Sequence, residues 1–331
     1  MKILLGSHHF FPSTGGIETA SNLLAHEFLA LGHEVRVITQ TEGSGDFPFP
    51  VVRRPGALEL LRQVRWCDVF IQNNISLRTL WPLLFVRRPL FIAHQTWITN
   101  SDGSTGWQHR LKRFVLRYAT SFAISRAIAE QLPGPSIQAG NPYDDKVFKN
   151  LPPEPRPTEL IFVGRLVSDK GANLLLEAMA LLESKPRLTM VGDGPERTHL
   201  KKQAANLDLQ SRVEFVGSQT SGELAKLLRQ HRILVVPSRW QEPFGIVALE
   251  GIACGCVVVG SAEGGLAEAI GPCGVTFPNG DARALANALS RLLEDPAECD
   301  RLRANASAHL PQFTPRHVAG VYLDAMKNAL R

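Results

Sequence analysis

LIFVGRLVSDKG, residues 160–171, is an apolar run that ends at Gly164 and gives way to a turn holding Arg165 and Lys170 ahead of a helical stretch. A short, continuously apolar run without polar alternation describes a strand covered on both faces, as in a parallel sheet. The unit recurs downstream: LTMVG (188–192), VEFVG (213–217), ILVVP (233–237), CVVVG (256–260) and GVTF (274–277) are each followed by a helical segment. Strand then helix, repeated, predicts an α/β fold built on a parallel sheet. Several of these strands end in Gly or Pro at the carboxyl end, where open sheets of this kind hold their ligands.

Upstream lies LPPEPRPTEL (151–160), whose four prolines block helix and sheet and describe a stiff linker. Before it a second series runs KILLG (2–6), EVRVIT (34–39), VFIQ (69–72), LFIAH (90–94) and FAIS (122–125), with helical candidates at 16–31, 57–64, 107–118 and 125–132. A chain of 331 residues, 44% of them hydrophobic, is long enough for two domains with separate cores. The expected division is 1–150 and 151–314, with a last helix at 315–331 packing back on the first domain. Helices are also expected near 281–294 and 296–309, with Pro296 and Pro315 in first-turn positions.

No apolar stretch approaches the ~20 residues that span a bilayer, and no secretory signal is read, so a cytoplasmic protein is expected. Five cysteines, odd in number and sparse, fit a reducing compartment. Cys254 and Cys256 lack the spacing of a zinc knuckle and read as small buried residues. Residues 1–150 hold 16 Lys and Arg against 11 Asp and Glu, so the first half carries the whole net charge of +5. Anionic partners become plausible for that half.

Arg165 and Lys170 together could clamp a diphosphate, one as a planar fork and the other as a point charge. A solvated basic turn is the plainer alternative, and the segment is not a Walker loop. PSRWQEPFGIVALEGIACG (237–255) adds a helix expected to start near Phe244. The amides of Phe244, Gly245, Ile246 and Val247 would then form an anion site, with Gly245 allowing close approach. Glu250 could accept from both hydroxyls of a ribose, and Glu242 from hydroxyls of a sugar beyond the phosphates. Acidic groups favourably placed at a helix dipole are the alternative. For Glu250 that is weak, because its neighbours are apolar and a buried carboxylate needs a partner.

Taken in order, GGIE (15–18), GHEVRVIT (32–39), NPYDDKVF (141–148), FVGRLVSDKG, VGDGPE (191–196), VEFVG and the Glu242/Glu250 pair resemble the retaining glycosyltransferases of family 4 over nearly the whole chain. The resemblance implies the GT-B fold, two Rossmann-like domains with parallel sheets facing across a cleft. It implies that Arg165 and Lys170 bind the diphosphate of a nucleotide-sugar donor, Glu250 the ribose and Glu242 the transferred sugar. Gly15 and Gly16 would face the donor phosphates, Gly192 would line the same site, and Val216, Gly217, Ser218 and Gln219 would meet the base. His94 would reach the sugar. Departures from the pattern are Pro142 for glycine, Gly251 for alanine and Cys256 for proline. A UDP-sugar is expected because uridine donors are the commonest in the family.

The chain has no Asp-x-Asp, so neither a metal nor another cofactor is expected. A nicotinamide dehydrogenase would need G-x-G-x-x-G after the first strand, which GSHHFFPSTGG does not supply. A nucleotide-sugar epimerase, a pyridoxal phosphate phosphorylase and a noncatalytic nucleotide-sugar-binding module share parts of the pattern. The acceptor, whether a glycan, a lipid-linked sugar or a small molecule, is not named by the sequence. No nucleic-acid partner is expected. In WQHRLKRFVLRYA (107–119), Trp107, Leu111, Phe114, Val115 and Tyr118 share one helical side and are expected to dock on the sheet. The sharper alternative places Arg110, Lys112, Arg113 and Arg117, with Arg87 and Arg88, against an anionic membrane surface or lipid-linked acceptor.

Overall fold

A computed structural model describes residues 1–13, 15–98, 107–151 and 156–331, without the side chains of residues 107–109. The chain forms two compact units, one of Met1–Tyr143 with Gln312–Arg331 and the other of Asp144–Pro311. The first crossing falls ahead of the proline-rich segment, at Asp144, whose Oδ1 accepts from the amides of Lys146 and Val147 and turns the chain.

In the first unit the strands are β1 (Lys2–Ser7), β2 (Glu34–Thr39), β3 (Val51–Arg53), β4 (Val69–Asn73), β5 (Leu90–His94), β6 (Thr120–Ala123) and β7 (Ser136–Gln138). They pair in parallel in the order β3-β2-β1-β4-β5-β6-β7, with Ile3 opposite both Val35 and Val69. The order reverses between β1 and β4. Edge strands β3 and β7, of three residues each and lacking buried positions, carry too little pattern to be read from sequence.

One face of this sheet is covered by the helices Gly16–Ala30 and Pro315–Ala329, which place Leu24, Phe28, Val318, Tyr322 and Met326 over Ile3, Phe91 and Phe122. The Tyr322 ring stacks on Phe122 with centroids 4.1 Å apart. Each such fully buried side chain contributes about 1.5–3 kcal/mol. On the other face Leu60 and Val64 of the helix Ala57–Trp66, together with Leu116, cover Leu4, Ile38, Phe70 and Ile92.

Leu116 reverses an expectation. The helix Trp107–Val115 and the turn Leu116–Tyr118 bury Leu116, whereas Leu111, Phe114 and Tyr118 are 41%, 50% and 73% exposed. The docked edge is Lys112, Val115 and Leu116, spaced three and four apart, and the broader apolar side faces solvent. Trp107 falls among the residues whose side chains are not described.

The second unit holds β8 (Thr158–Val163), β9 (Leu188–Val191), β10 (Val213–Gly217), β11 (His231–Val236), β12 (Val257–Ser261) and β13 (Gly274–Phe277), parallel in the order β10-β9-β8-β11-β12-β13. Its order reverses between β8 and β11. Leu160, Phe162, Met190, Val235 and Val259 pack under Leu175 and Met179 of the helix Ala172–Ala180 and Leu285 and Leu289 of the helix Ala282–Glu294. Just past the prolines, Arg156 donates to the carbonyls of His231 and Cys254, each at 2.8 Å. All five cysteines are buried and free. No described helix is long and apolar enough to cross a membrane.

Candidate functional site

The strand order reverses between β8 and β11, and the carboxyl ends of strands at such a reversal are the ligand position of open α/β sheets. The turn after β8 is drawn against the end of β11 at Gly171. This residue has φ +69°, and a Cβ there would lie 1.9 Å from the carbonyl oxygen of Pro237, so only glycine allows the approach. The amides of Arg239 and Trp240 then donate to the carbonyl of Asp169 at 2.8 and 3.2 Å.

That packing brings Lys170 Nζ to 2.6 Å from Glu242 Oε1, and the same oxygen accepts from Ser238 Oγ at 2.7 Å. Glu242 is buried; Lys170 is partly exposed. The loop around Glu242 is itself held, because its carbonyl accepts from Gly265 N at 2.7 Å. The carbonyl of Ser238 accepts from Ser261 Oγ at 2.7 Å and Asn279 Nδ2 at 3.2 Å. Arg165, at the end of β8, is exposed and makes no ion pair among the described residues. A cation held by a charge-assisted bond thus stands in the same unit as a cation with no partner.

The neighbouring strand ends are equally close. A Cβ on Gly192, which has φ +130°, would lie 1.9 Å from the carbonyl oxygen of Gly164, and Gly192 N donates to Gly217 O at 2.8 Å. The register of β10 on β9 shifts between Phe215 and Gly217. Gln219 Nε2 donates to Val216 O at 3.0 Å, which folds the loop Val216–Gln219 and leaves Ser218 exposed.

The helix beyond Glu242 begins later than the sequence suggested. It spans Ile246–Ala253, with Gly245 as a left-handed cap at φ +102°. Phe244 is buried ahead of it, so its amide and that of Gly245 are not first-turn groups. Ile246 and Val247 are, and helix geometry gives their amides no intrahelical acceptor. Glu250 lies further along this helix, partly buried, and its carboxylate makes no hydrogen bond or ion pair among the described residues. Burial pushes its carboxyl up to about 7, and the charge of Asp144 adds to the shift.

Gly15, Gly16 and His94 belong to the first unit. Gly16 opens the helix Gly16–Ala30, and a Cβ on Gly15 would meet the Glu18 carboxylate at 2.6 Å. His94 ends β5, is 1% exposed, and has Nε2 hydrogen-bonded to Ser121 Oγ at 3.1 Å. Burial lowers its pKa to about 4, so the ring is neutral. Ser238 and Ser121, which hold Glu242 and His94, were not singled out from sequence; a Ser directly after the strand-ending Pro237 is the signal that was there to use.

The sequence profile of the family described as glycosyl transferases group 1 matches residues 144–309, half of the chain and nearly the whole second unit. The chain belongs to that family. This group 1 chain is 33% identical over 211 residues to a D-inositol 3-phosphate glycosyltransferase of Rhodococcus opacus, an alignment covering 60% of this chain and 47% of the relative. It spans about half the length of the curated relatives it matches. Among solved structures it resembles sucrose-phosphate synthase from Thermosynechococcus elongatus, with a TM-score of 0.84 at 22% identity, over 99% of this chain and 98% of the other. The Anabaena protein Alr3699/HepE in complex with UDP and glucose gives 0.82 at 21%, over 99% and 100%. At those identities the likeness shows the fold, and it is GT-B with two Rossmann-like domains.

Proposed function

We propose that this group 1 chain is a glycosyltransferase that moves a sugar from a nucleoside diphosphate sugar to a hydroxyl acceptor. The observation that carries the reading is the 2.6 Å bond between Lys170 and Glu242. In a sugar diphosphate the phosphate and the sugar hydroxyls are separated by little more than the anomeric carbon and its oxygen. A cation and a carboxylate one hydrogen bond apart match that pairing, the cation for phosphate and the carboxylate for hydroxyls. Lys170, Arg165 and the first-turn amides of Ile246 and Val247 would meet charge growing on the leaving phosphate. Glu250 would accept from the ribose, and the loop Val216–Gln219 would meet the base. UDP is the favoured nucleotide, and retention of anomeric configuration is the favoured outcome; both rest on the family likeness. The phosphate charge is met by protein groups, so turnover is expected without a divalent metal.

The acceptor is a glycan or lipid-linked sugar. The exposed side chains Leu111, Phe114 and Tyr118, interleaved with Arg110, Arg113 and Arg117, support contact of the first unit with an anionic membrane surface.

The test is a panel of UDP-, GDP- and ADP-sugars, following release of nucleoside diphosphate with and without EDTA and reading the anomeric proton of the first product by NMR. Turnover unaffected by EDTA and a product of unchanged configuration are expected. Tight donor binding with no turnover under any condition would leave a noncatalytic binding module. Loss of activity on chelation, restored by magnesium or manganese, would overturn the metal-free mechanism.

A further inference from the structure

The carboxylate of Glu242 is held through one of its two oxygens. Lys170 Nζ and Ser238 Oγ both donate to Oε1, and Oε2 has no bond among the described residues. When a ligand draws Lys170 away, Ser238 is the donor that remains, so the direction in which Oε2 points depends on where Ser238 stands. Ser238 is 1% exposed, and a carboxylate paired with a cation only accepts, so the hydroxyl proton is committed to Glu242. Ser238 is fixed in turn by its own carbonyl, which accepts from Ser261 Oγ of β12 at 2.7 Å and from Asn279 Nδ2 at 3.2 Å.

Asn279 lies beyond β13, the edge strand of this sheet, beside Gly280 at φ +80°. Its Oδ1 accepts at 3.0 Å from the amide of Glu263, in the loop after β12. An N–H can only donate and a carbonyl can only accept, so the two partners fix which end of the Asn279 side chain faces which. The loop that holds Glu263 also carries Glu242. Gly265 N donates to the Glu242 carbonyl at 2.7 Å, and a Cβ on Gly264, at φ +84°, would lie 2.4 Å from that same oxygen. One side chain thus reaches Glu242 twice, through Ser238 to the carboxylate and through Glu263–Gly265 to the main chain. The turn itself does not demand this residue, since Asp suits a turn before glycine as well as Asn does.

We propose that Asn279 is a positioning residue for Glu242: by joining the loops after β11, β12 and β13 it holds Ser238 in place, and through Ser238 it aims Oε2 of the carboxylate. The target of Oε2, a hydroxyl of the transferred sugar, rests on the transferase reading; the clasp of three loops does not. Asn279→Asp separates this role from that of a turn residue. Asp keeps the turn and the acceptor for Glu263, and it loses the donor to Ser238.

The experiment uses the full chain and three measurements: release of UDP from UDP-glucose, affinity for UDP by calorimetry, and, without ligand, hydrogen exchange of the Arg239 and Trp240 amides. Those amides follow Ser238 directly and donate to Asp169 O, so they report on the loop whether or not a donor binds. Ser238→Ala and Asn279→Asp should each lower kcat at least about tenfold, with UDP affinity within about threefold of the parent. The double variant should lose no more than the larger single loss, because both substitutions cut the same line to Glu242. Exchange at Arg239 and Trp240 should quicken at least about fivefold in Asn279→Asp and in Asn279→Ala, while the Gly192 amide, bonded to Gly217 elsewhere in the unit, keeps its rate. Parent kcat in Asn279→Asp, losses that multiply in the double variant, a fall in UDP affinity as large as the fall in kcat, or unchanged exchange in both Asn279 variants would each overturn the proposal. A parent chain that turns over no nucleotide sugar, with exchange quickened as expected, would overturn the transferase reading and leave the clasp standing.

Discussion

Lys170 and Glu242 are joined by a 2.6 Å hydrogen bond across 72 residues of chain, and the oxygen that accepts it also accepts from Ser238. The carboxylate and the cation thus satisfy one another. On the proposed function, a sugar diphosphate would divide them, drawing the cation to phosphate and the carboxylate to hydroxyls.

Lys170→Ala and Arg165→Ala should each lower kcat/KM for the donor about tenfold to a hundredfold, since bonds to a charged group are worth roughly 1.5–3 kcal/mol. Glu242→Gln should behave differently. With Lys170 released from its partner, UDP should bind at least as tightly as before while sugar turnover falls. Calorimetry with UDP and initial rates with UDP-sugar separate the two, and a loss of UDP affinity equal to that of Lys170→Ala would reverse the assignment.

Glu250 gives a pH signature. Its carboxyl is raised from an ordinary 4.5 to about 7, so the folded state holds a proton that the unfolded chain gives up earlier. Stability should therefore decline as pH rises from about 4.5 towards 7 and level off above. Glu250→Gln removes that decline, and melting curves should show its advantage over the parent growing between about pH 4.5 and pH 7 and constant above. The same variant should bind UDP more weakly. Melting profiles that run parallel across this range would refute the burial argument.

For His94 the sign is opposite. A ring whose pKa falls to about 4 in the folded state is protonated first in the unfolded chain, so stability should be lost as pH falls from 6.5 towards 4. His94→Gln can keep a bond to Ser121 and should abolish much of this acid sensitivity. If the ring also touches the transferred sugar, this variant will melt close to the parent at neutral pH yet lose most transfer. Full activity per folded molecule would restrict His94 to holding β5 against β6.

The exposed Leu111, Phe114 and Tyr118 should add to binding of anionic vesicles. Each arginine near such a surface contributes about 1 kcal/mol and acts within a Debye length of roughly 8 Å at physiological salt. Sedimentation should show binding that is lost by about 0.5 M salt and weakened both by Phe114→Ala and by changing Arg110, Arg113 and Arg117 to Gln. Equal sedimentation with neutral and anionic vesicles would favour an acceptor free in solution.

The strands that decide the fold were legible because they are buried on both faces: every residue of β4, β5, β9 and β12 is buried, and mostly apolar residues without polar alternation mark each one. β3 and β7 were not, since an edge strand of three partly exposed residues lacks that signature. Lys170 and Glu242 could be named as candidates from local motifs, but their contact is long-range, depending on how closely Gly171 lets two strand ends approach. The start of the Ile246 helix was displaced by the left-handed Gly245, a conformation that sequence permits without requiring. The face docked by Leu116 was missed because Leu111, Phe114 and Tyr118 make the stronger apolar stripe, and amphipathicity alone does not say which side meets the protein.

The helix Pro315–Ala329 supplies Val318, Tyr322 and Met326 to a core whose strands all lie before residue 139. On the ribosome this means that Asp144–Pro311 emerges whole before the first unit receives its last helix. The order of completion is then the reverse of the order of synthesis, with the N-terminal sheet waiting, one face partly uncovered, until the second unit has left the exit tunnel.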